Sequence, residues 1–166
     1  MLFVPDEIRE RLSVRQGDYI APPKPMHRLL EKAGLRPTRQ RAALASFLFR
    51  EGNRHVTAED LWREAMAAGV RLSLATIYNT LNQFAEAGLL CKVCVNGGRT
   101  YFDTDSGNHQ HFYVEAESRL IDVPAGQIQF GELPEPPEGY SIAKVDVVIQ
   151  LVRNKSGDGS RRRRSR

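Results

Sequence analysis

At 166 residues, 41% hydrophobic and 27% charged, the chain suits one medium domain or two small ones, and no apolar run approaches the roughly 18–20 residues that span a bilayer. Its net charge of +4 belongs to its end: six positive residues against Asp158 give positions 155–166 a charge of +5, so the remainder sums to −1 and basicity alone does not point to nucleic acid. Two cysteines exclude a disulfide scaffold and fit a reducing cytoplasm, the expected location.

Residues 1–24 are expected to form a flexible arm, because Ala21-Pro22-Pro23-Lys24-Pro25 resists regular structure. Asp6, Glu7 and Glu10, with no long apolar run beside them, argue against a signal peptide. Helical spacing begins after Pro25, with Met26, Leu29, Leu30 and Ala33 forming a stripe that Gly34 stops. Thr38 can cap a second helix bearing Ala42, Leu44, Ala45, Phe47 and Leu48. Thr57-Ala58-Glu59-Asp60 resembles a capping box and starts a third helix with Leu61, Ala65 and Ala68, ended by Gly69. Ser73 starts a fourth, which groups Ile77, Leu81 and Phe84 on one face and stops at Gly88.

The period then shortens. Leu89, Cys91, Val93 and Val95 alternate with other residues, Asn96-Gly97-Gly98 supplies a turn, and residues 99–103 run back as a hairpin. Helices followed by a hairpin give the winged-helix order. The pattern divides the chain into a winged helix-turn-helix domain over 25–103, a hinge over 104–108, an α/β domain over 109–153 and a disordered basic tail over 154–166. The fold class is α+β. In the second domain, strands are expected over 109–117, 119–123 and 140–152, with Pro-rich 133–139 before the last. In that last strand Val145, Val147, Ile149 and Leu151 alternate with Lys144, Asp146 and Gln150, as expected of a strand anchoring a sheet that spans two subunits. The Arg161–Arg164 run is read as part of an unstructured terminus before a DNA-binding one.

Four motifs occur in the order and spacing of ferric uptake regulators. Gly34-Leu35-Arg36-Pro37-Thr38-Arg39-Gln40-Arg41 resembles the entry to their second helix, and His55-Val56-Thr57-Ala58-Glu59-Asp60-Leu61 their third-helix signature. Leu74-Ala75-Thr76-Ile77-Tyr78-Asn79-Thr80-Leu81 is similar to their recognition helix, and Gly97-Gly98-Arg99-Thr100-Tyr101-Phe102 to their wing. The resemblance covers roughly residues 25–123. Together with His109-Gln110-His111-Phe112-Tyr113-Val114-Glu115 and Leu133-Pro134-Glu135-Pro136-Pro137-Glu138-Gly139, it is strongest to the iron response regulators of alphaproteobacteria. It implies a homodimeric transcription regulator, repressor or activator, of haem synthesis and iron homeostasis genes, acting on palindromic double-stranded operator DNA with no membrane role.

The fourth helix presents Tyr78, Asn79, Asn82 and Gln83 opposite its apolar face, and an amide such as Asn79 can pair with adenine in the major groove. Alone, such a face is usually solvated. The resemblance turns it into a DNA-reading face and adds Ser73 and Thr76 at its start. Since 73–87 contains no Lys or Arg, phosphate affinity falls to Arg36, Arg39, Arg41, Arg71, Lys92 and Arg99.

His109 and His111 stand two apart on an expected strand, so both imidazoles point to one side. The resemblance adds His55, Asp103 and Asp122 to a site for iron, manganese or zinc. Either His of the pair is also a competent haem ligand, and the sequence leaves haem and metal both open. Cys91-Lys92-Val93-Cys94 is half a zinc motif without a second half, and strand positions three apart face opposite ways, so both cysteines are read as packing residues. The family's structural-zinc cysteines correspond to Val114 and Glu117, so that zinc site is expected to be absent. No cysteine precedes Cys91, so the Cys-Pro haem motif of some iron response regulators is missing. No H-E-x-x-H or second hydrolase motif accompanies the His pair, and no enzyme is expected. The rival readings are a zinc, manganese or peroxide sensor of the same superfamily and, from another class, a haem-binding protein.

Overall fold

In a computed structural model, residues 24–154 are described, except 51, 108, 125 and 130. The expected arm over 1–24 and tail over 154–166 therefore lie outside the described residues, save for Lys24 and Asn154. The chain divides into two compact units, with the break between Asn108 and His109.

The first unit contains helices α1 (Lys24–Lys32), α2 (Arg39–Phe49), α3 (Ala58–Ala67) and α4 (Leu74–Glu86). It also contains strands β1 (His55–Val56), β2 (Cys91–Cys94) and β3 (Thr100–Asp103). The starts of α2, α3 and α4 are each written in a side chain. The Thr38 hydroxyl accepts from Arg41 N–H and the Ser73 hydroxyl from Thr76 N–H. At α3 the capping box is complete: Thr57 Oγ1 accepts from Asp60 N–H at 3.1 Å, and Asp60 Oδ2 accepts from Thr57 N–H at 3.1 Å. At the end of α4, Gly88 takes φ +74°, which lets Leu89 N–H bond Phe84 O at 2.9 Å and drops Leu89 into the core at the start of the wing.

Met26, Leu30, Leu44, Leu48, Phe49, Leu61, Ile77, Leu81, Phe84 and Phe102 meet in one fully buried cluster, so the helical stripes and the wing close on a single core. The sheet is antiparallel in the order β1-β3-β2. Strand β1, which the sequence does not announce, exists only through its pairing to β3, where His55 faces Asp103 and Val56 faces Phe102. That pairing extends to Thr104, whose N–H bonds Arg54 O at 3.1 Å and whose hydroxyl accepts from Arg54 N–H at 2.9 Å. The start of the expected hinge is thus tied into the first unit.

The second unit is a three-stranded sheet in the order β5-β4-β6, built from β4 (Gln110–Val114), β5 (Arg119–Val123) and β6 (Val148–Leu151). The first expected strand stops at Val114, because Glu115–Glu117 curl into a 3-10 turn that closes with Ser118 in the left-handed region at φ 46°. The last expected strand is also corrected. Only Val148–Leu151 is strand, parallel to β4, whereas residues 140–146 are exposed and outside the sheet, since β4 offers a pairing edge only to 148–151.

Candidate metal centre and nucleic-acid interface

In the second unit, β4 and β5 bring three donors together. His111 and Asp122 are cross-strand partners, and His109 stands two residues before His111 on the same side. His109 Nε2 lies 3.3 Å and His111 Nε2 3.7 Å from Asp122 Oδ1, and the two rings are 4.5 Å apart. His111 is buried while Asp122 is exposed.

The first unit holds a pair. His55 and Asp103 are cross-strand partners on β1 and β3, with Nε2 3.5 Å from Oδ2. Asp103 is fully buried at 0% exposure, and its Oδ1 accepts from Asp105 N–H at 2.8 Å, which orients Oδ2 toward His55. Ligand atoms around a tetrahedral or octahedral first-row ion stand about 2.8–3.4 Å apart, given metal–donor bonds near 2.0–2.1 Å. The observed separations fall at or slightly above that range, and imidazole with carboxylate is a donor set for divalent iron, manganese or zinc. The residues present therefore fit such an ion.

The two cysteines are not part of this arrangement. Their strand keeps unbroken register from Cys91 facing Asp103 to Cys94 facing Thr100, without a bulge. Cys91 is half-buried, but Cys94 is exposed, which corrects the packing role expected for it: Val93 takes the inward position between them.

On the first unit's other polar face, Asn79 is exposed, while Tyr78, Asn82 and Gln83 are half-buried. The Ser73 and Thr76 hydroxyls share a 2.8 Å hydrogen bond at the start of α4, so they serve the cap as well as any contact beyond it. Arg36, Arg39, Arg71, Lys92 and Arg99 are exposed. Arg41 is half-buried, with Nε and Nη2 donating to Gln83 Oε1 at 3.1 and 2.8 Å and Nη1 to Arg36 O at 2.9 Å. Sequence reasoning passed over Glu59, whose Oε1 accepts from the Tyr78 hydroxyl at 3.2 Å. Nothing in the spacing of residues 59 and 78 signals that contact. Burial first, then the Glu59 charge and hydrogen bond, raise the Tyr78 phenol above its ordinary pKa.

Among the described residues no helix is long and apolar enough to cross a membrane. A model of the ferric uptake regulator family matches residues 32–149. The chain is 36% identical over 128 residues to the ferric uptake regulation protein of Pseudomonas aeruginosa, covering 76% of this chain and 96% of that protein. To the Escherichia coli protein of the same name it is 39% identical over 101 residues, 60% of this chain and 68% of that one. Among solved structures, the Pseudomonas aeruginosa ferric uptake regulator with manganese aligns at a TM-score of 0.59 and 27% identity, over 78% of this chain and 98% of that one. The Vibrio cholerae ferric uptake regulator aligns at 0.58 and 21% identity over 75% and 97%, a likeness of fold.

Proposed function

The chain belongs to the ferric uptake regulator family, whose members are metal-responsive transcription regulators and not enzymes, and from that premise we propose that it is a homodimeric, iron-responsive regulator of operator DNA. His109, His111 and Asp122 hold the divalent ion. His55 and Asp103 supply further ligands, since three donors leave a four- to six-coordinate ion incomplete. The observation that carries this reading is the spacing of two imidazoles and one carboxylate at 3.3 and 3.7 Å. When bound, the ion supplies differential affinity: it favours one arrangement of the DNA-binding units and so shifts the population that binds DNA.

The same geometry favours metal over haem. Two imidazoles that share one carboxylate oxygen at 3.3 and 3.7 Å make a compact nitrogen and oxygen donor set suited to a small divalent ion, whereas a haem iron takes an imidazole as a single axial ligand. Iron homeostasis and haem synthesis genes are the proposed targets, on the resemblance of the recognition helix and the His pair to iron response regulators. DNA is read by Tyr78, Asn79 and Asn82, with Ser73 and Thr76 at the helix start and Arg36, Arg39, Arg41, Arg71, Lys92 and Arg99 on phosphates. The dimer forms through the second unit. There β6 pairs on one side with β4, and Tyr140, Ile142, Val145 and Val152, which flank it in the chain, are exposed.

The test titrates ferrous iron, manganese, zinc and haem in turn against promoter DNA. Wild type should gain or lose affinity with the metals, and a His109→Ala/His111→Ala variant should keep basal binding and lose the response. His55→Ala and Asp103→Ala should weaken the metal response without altering any haem binding. A double-His variant that responds normally to metal ends this mechanism.

A further inference from the structure

Two of the four polar side chains on the outer face of α4 are already engaged inside the first unit. Gln83 gives its carbonyl oxygen to the Arg41 guanidinium, whose nitrogens can only donate, so the amide orientation is fixed with its NH2 outward. The Tyr78 hydroxyl is engaged through Glu59, the second residue of α3. A phenol has one proton and two lone pairs, while a carboxylate only accepts. At 3.2 Å the phenol proton therefore points to Glu59, and the lone pairs remain for whatever approaches from outside.

We propose that Glu59 is a positioning residue that determines specificity: by taking the Tyr78 proton it turns the outer side of the phenol into an acceptor and directs α4 toward base edges bearing an amino group, adenine N6 or cytosine N4. The assignment rests on the reading of α4 as a DNA-binding helix. The major groove makes the distinction available, because adenine and cytosine present an amino donor where guanine and thymine present a carbonyl acceptor. A phenol free to rotate would satisfy either kind of edge and discriminate between neither. Glu59 also brings an exposed negative charge to a DNA-facing surface, where it opposes phosphate. A residue that disfavours DNA in general while sharpening the choice of base leaves a signature that a merely structural role would not: its removal moves affinity and discrimination in opposite directions.

The experiment selects duplexes from a random-sequence library with the full-length, manganese-loaded protein, using wild type, Tyr78→Phe, Glu59→Ala, Glu59→Gln and the Tyr78→Phe/Glu59→Ala double variant. Tyr78→Phe and Glu59→Ala should relax the same base-pair position, the preference for the amino-bearing base falling about tenfold in each. The double variant should fall no further than either single change, because both remove one interaction. Glu59→Gln, whose amide can accept the phenol proton or donate to the phenol oxygen, should lie between wild type and Glu59→Ala. Affinity of Glu59→Ala for random DNA should exceed that of wild type, and a fall in it would overturn the assignment. A wild-type motif left unchanged by Glu59→Ala, or a guanine or thymine carbonyl preferred at the Tyr78-dependent position, overturns the assignment alone. A wild-type selection that enriches no motif removes the operator-binding reading and this assignment with it.

Discussion

In the first unit, ten large side chains from four helices and the wing close on one another with almost no exposure. In the second, the buried apolar residues among those described are Tyr113, Leu120 and Val123, beside the buried polar His111. The second unit also carries Leu133, Tyr140, Ile142, Val145 and Val152 in the open. The first unit thus holds its fold by its own apolar burial, whereas the second has a sheet whose side chains are poorly covered by its own chain. A small sheet of that kind draws stability from something bound to it. The proposed recognition surface is built on the self-sufficient unit, and the candidate ligand triad on the one that gains most from a ligand.

The largest effect should come from the first core. Phe84 is fully buried, and Phe84→Ala should cost about 3–5 kcal/mol in denaturant unfolding. That cost should not change with protein concentration, and a loss below about 1 kcal/mol would break the contrast. The second unit should behave in the opposite way. Chelation or dilution should expose the amides of Gln110–Val114 to hydrogen exchange, because a ligand at a hundred times its Kd adds about 2.7 kcal/mol to the folded state. His109→Ala/His111→Ala should reproduce chelation and then be insensitive to it. Exchange in these strands that ignores both metal and dilution would show that the thin sheet is stable by itself.

A smaller effect falls on a feature that was legible in the sequence. Thr57→Ala removes one half of the capping box and should cost about 1 kcal/mol, read as a shifted urea midpoint with an unchanged slope. Caps, apolar stripes and the wing turn could be read from residues 25–103 because each is a local pattern enforced by the chain's own hydrogen bonds. The His109–His111 pair was legible for the same reason, through the two-residue period of a strand. What stayed hidden depends on distant partners. Strand β1 is two residues long and exists only opposite Phe102 and Asp103. The Tyr78–Glu59 and Arg41–Gln83 bonds join residues 19 and 42 apart. Residues 140–146 alternate like a strand, yet alternation marks a sheet only where an edge is available to pair.

The smallest effect sets one kind of ion pair in two environments. In the first unit Arg54 reaches Glu64 through two nitrogens, with side chains 19% and 27% exposed, over packed helices. In the second, Glu117 accepts from Arg153 at 3.1 Å and from Arg119 at 3.0 Å, joining the turn after β4 to the start of β5 and the chain beyond β6, all at the open surface. The Arg153 hydrogen bond first, and then Arg119, hold the Glu117 carboxyl below its ordinary pKa. A depressed folded value means the unfolded chain takes up the proton first on acidification. The stabilisation is therefore complete above the ordinary carboxylate value of about 4.3 and disappears as pH falls through the lower folded value. Solvent and salt screen such an exposed cluster strongly. Glu117→Gln should therefore lower the melting temperature slightly at neutral pH and low salt. The difference from wild type should shrink in about 1 M salt, where the screening length falls to about 3 Å, and again at low pH. Glu64→Gln, in the more sheltered cluster, should cost more and keep most of its cost in salt. A Glu117 variant that is more damaging than the Glu64 variant, or that is indifferent to salt, would mean that the surface around Glu117 is covered when the protein assembles.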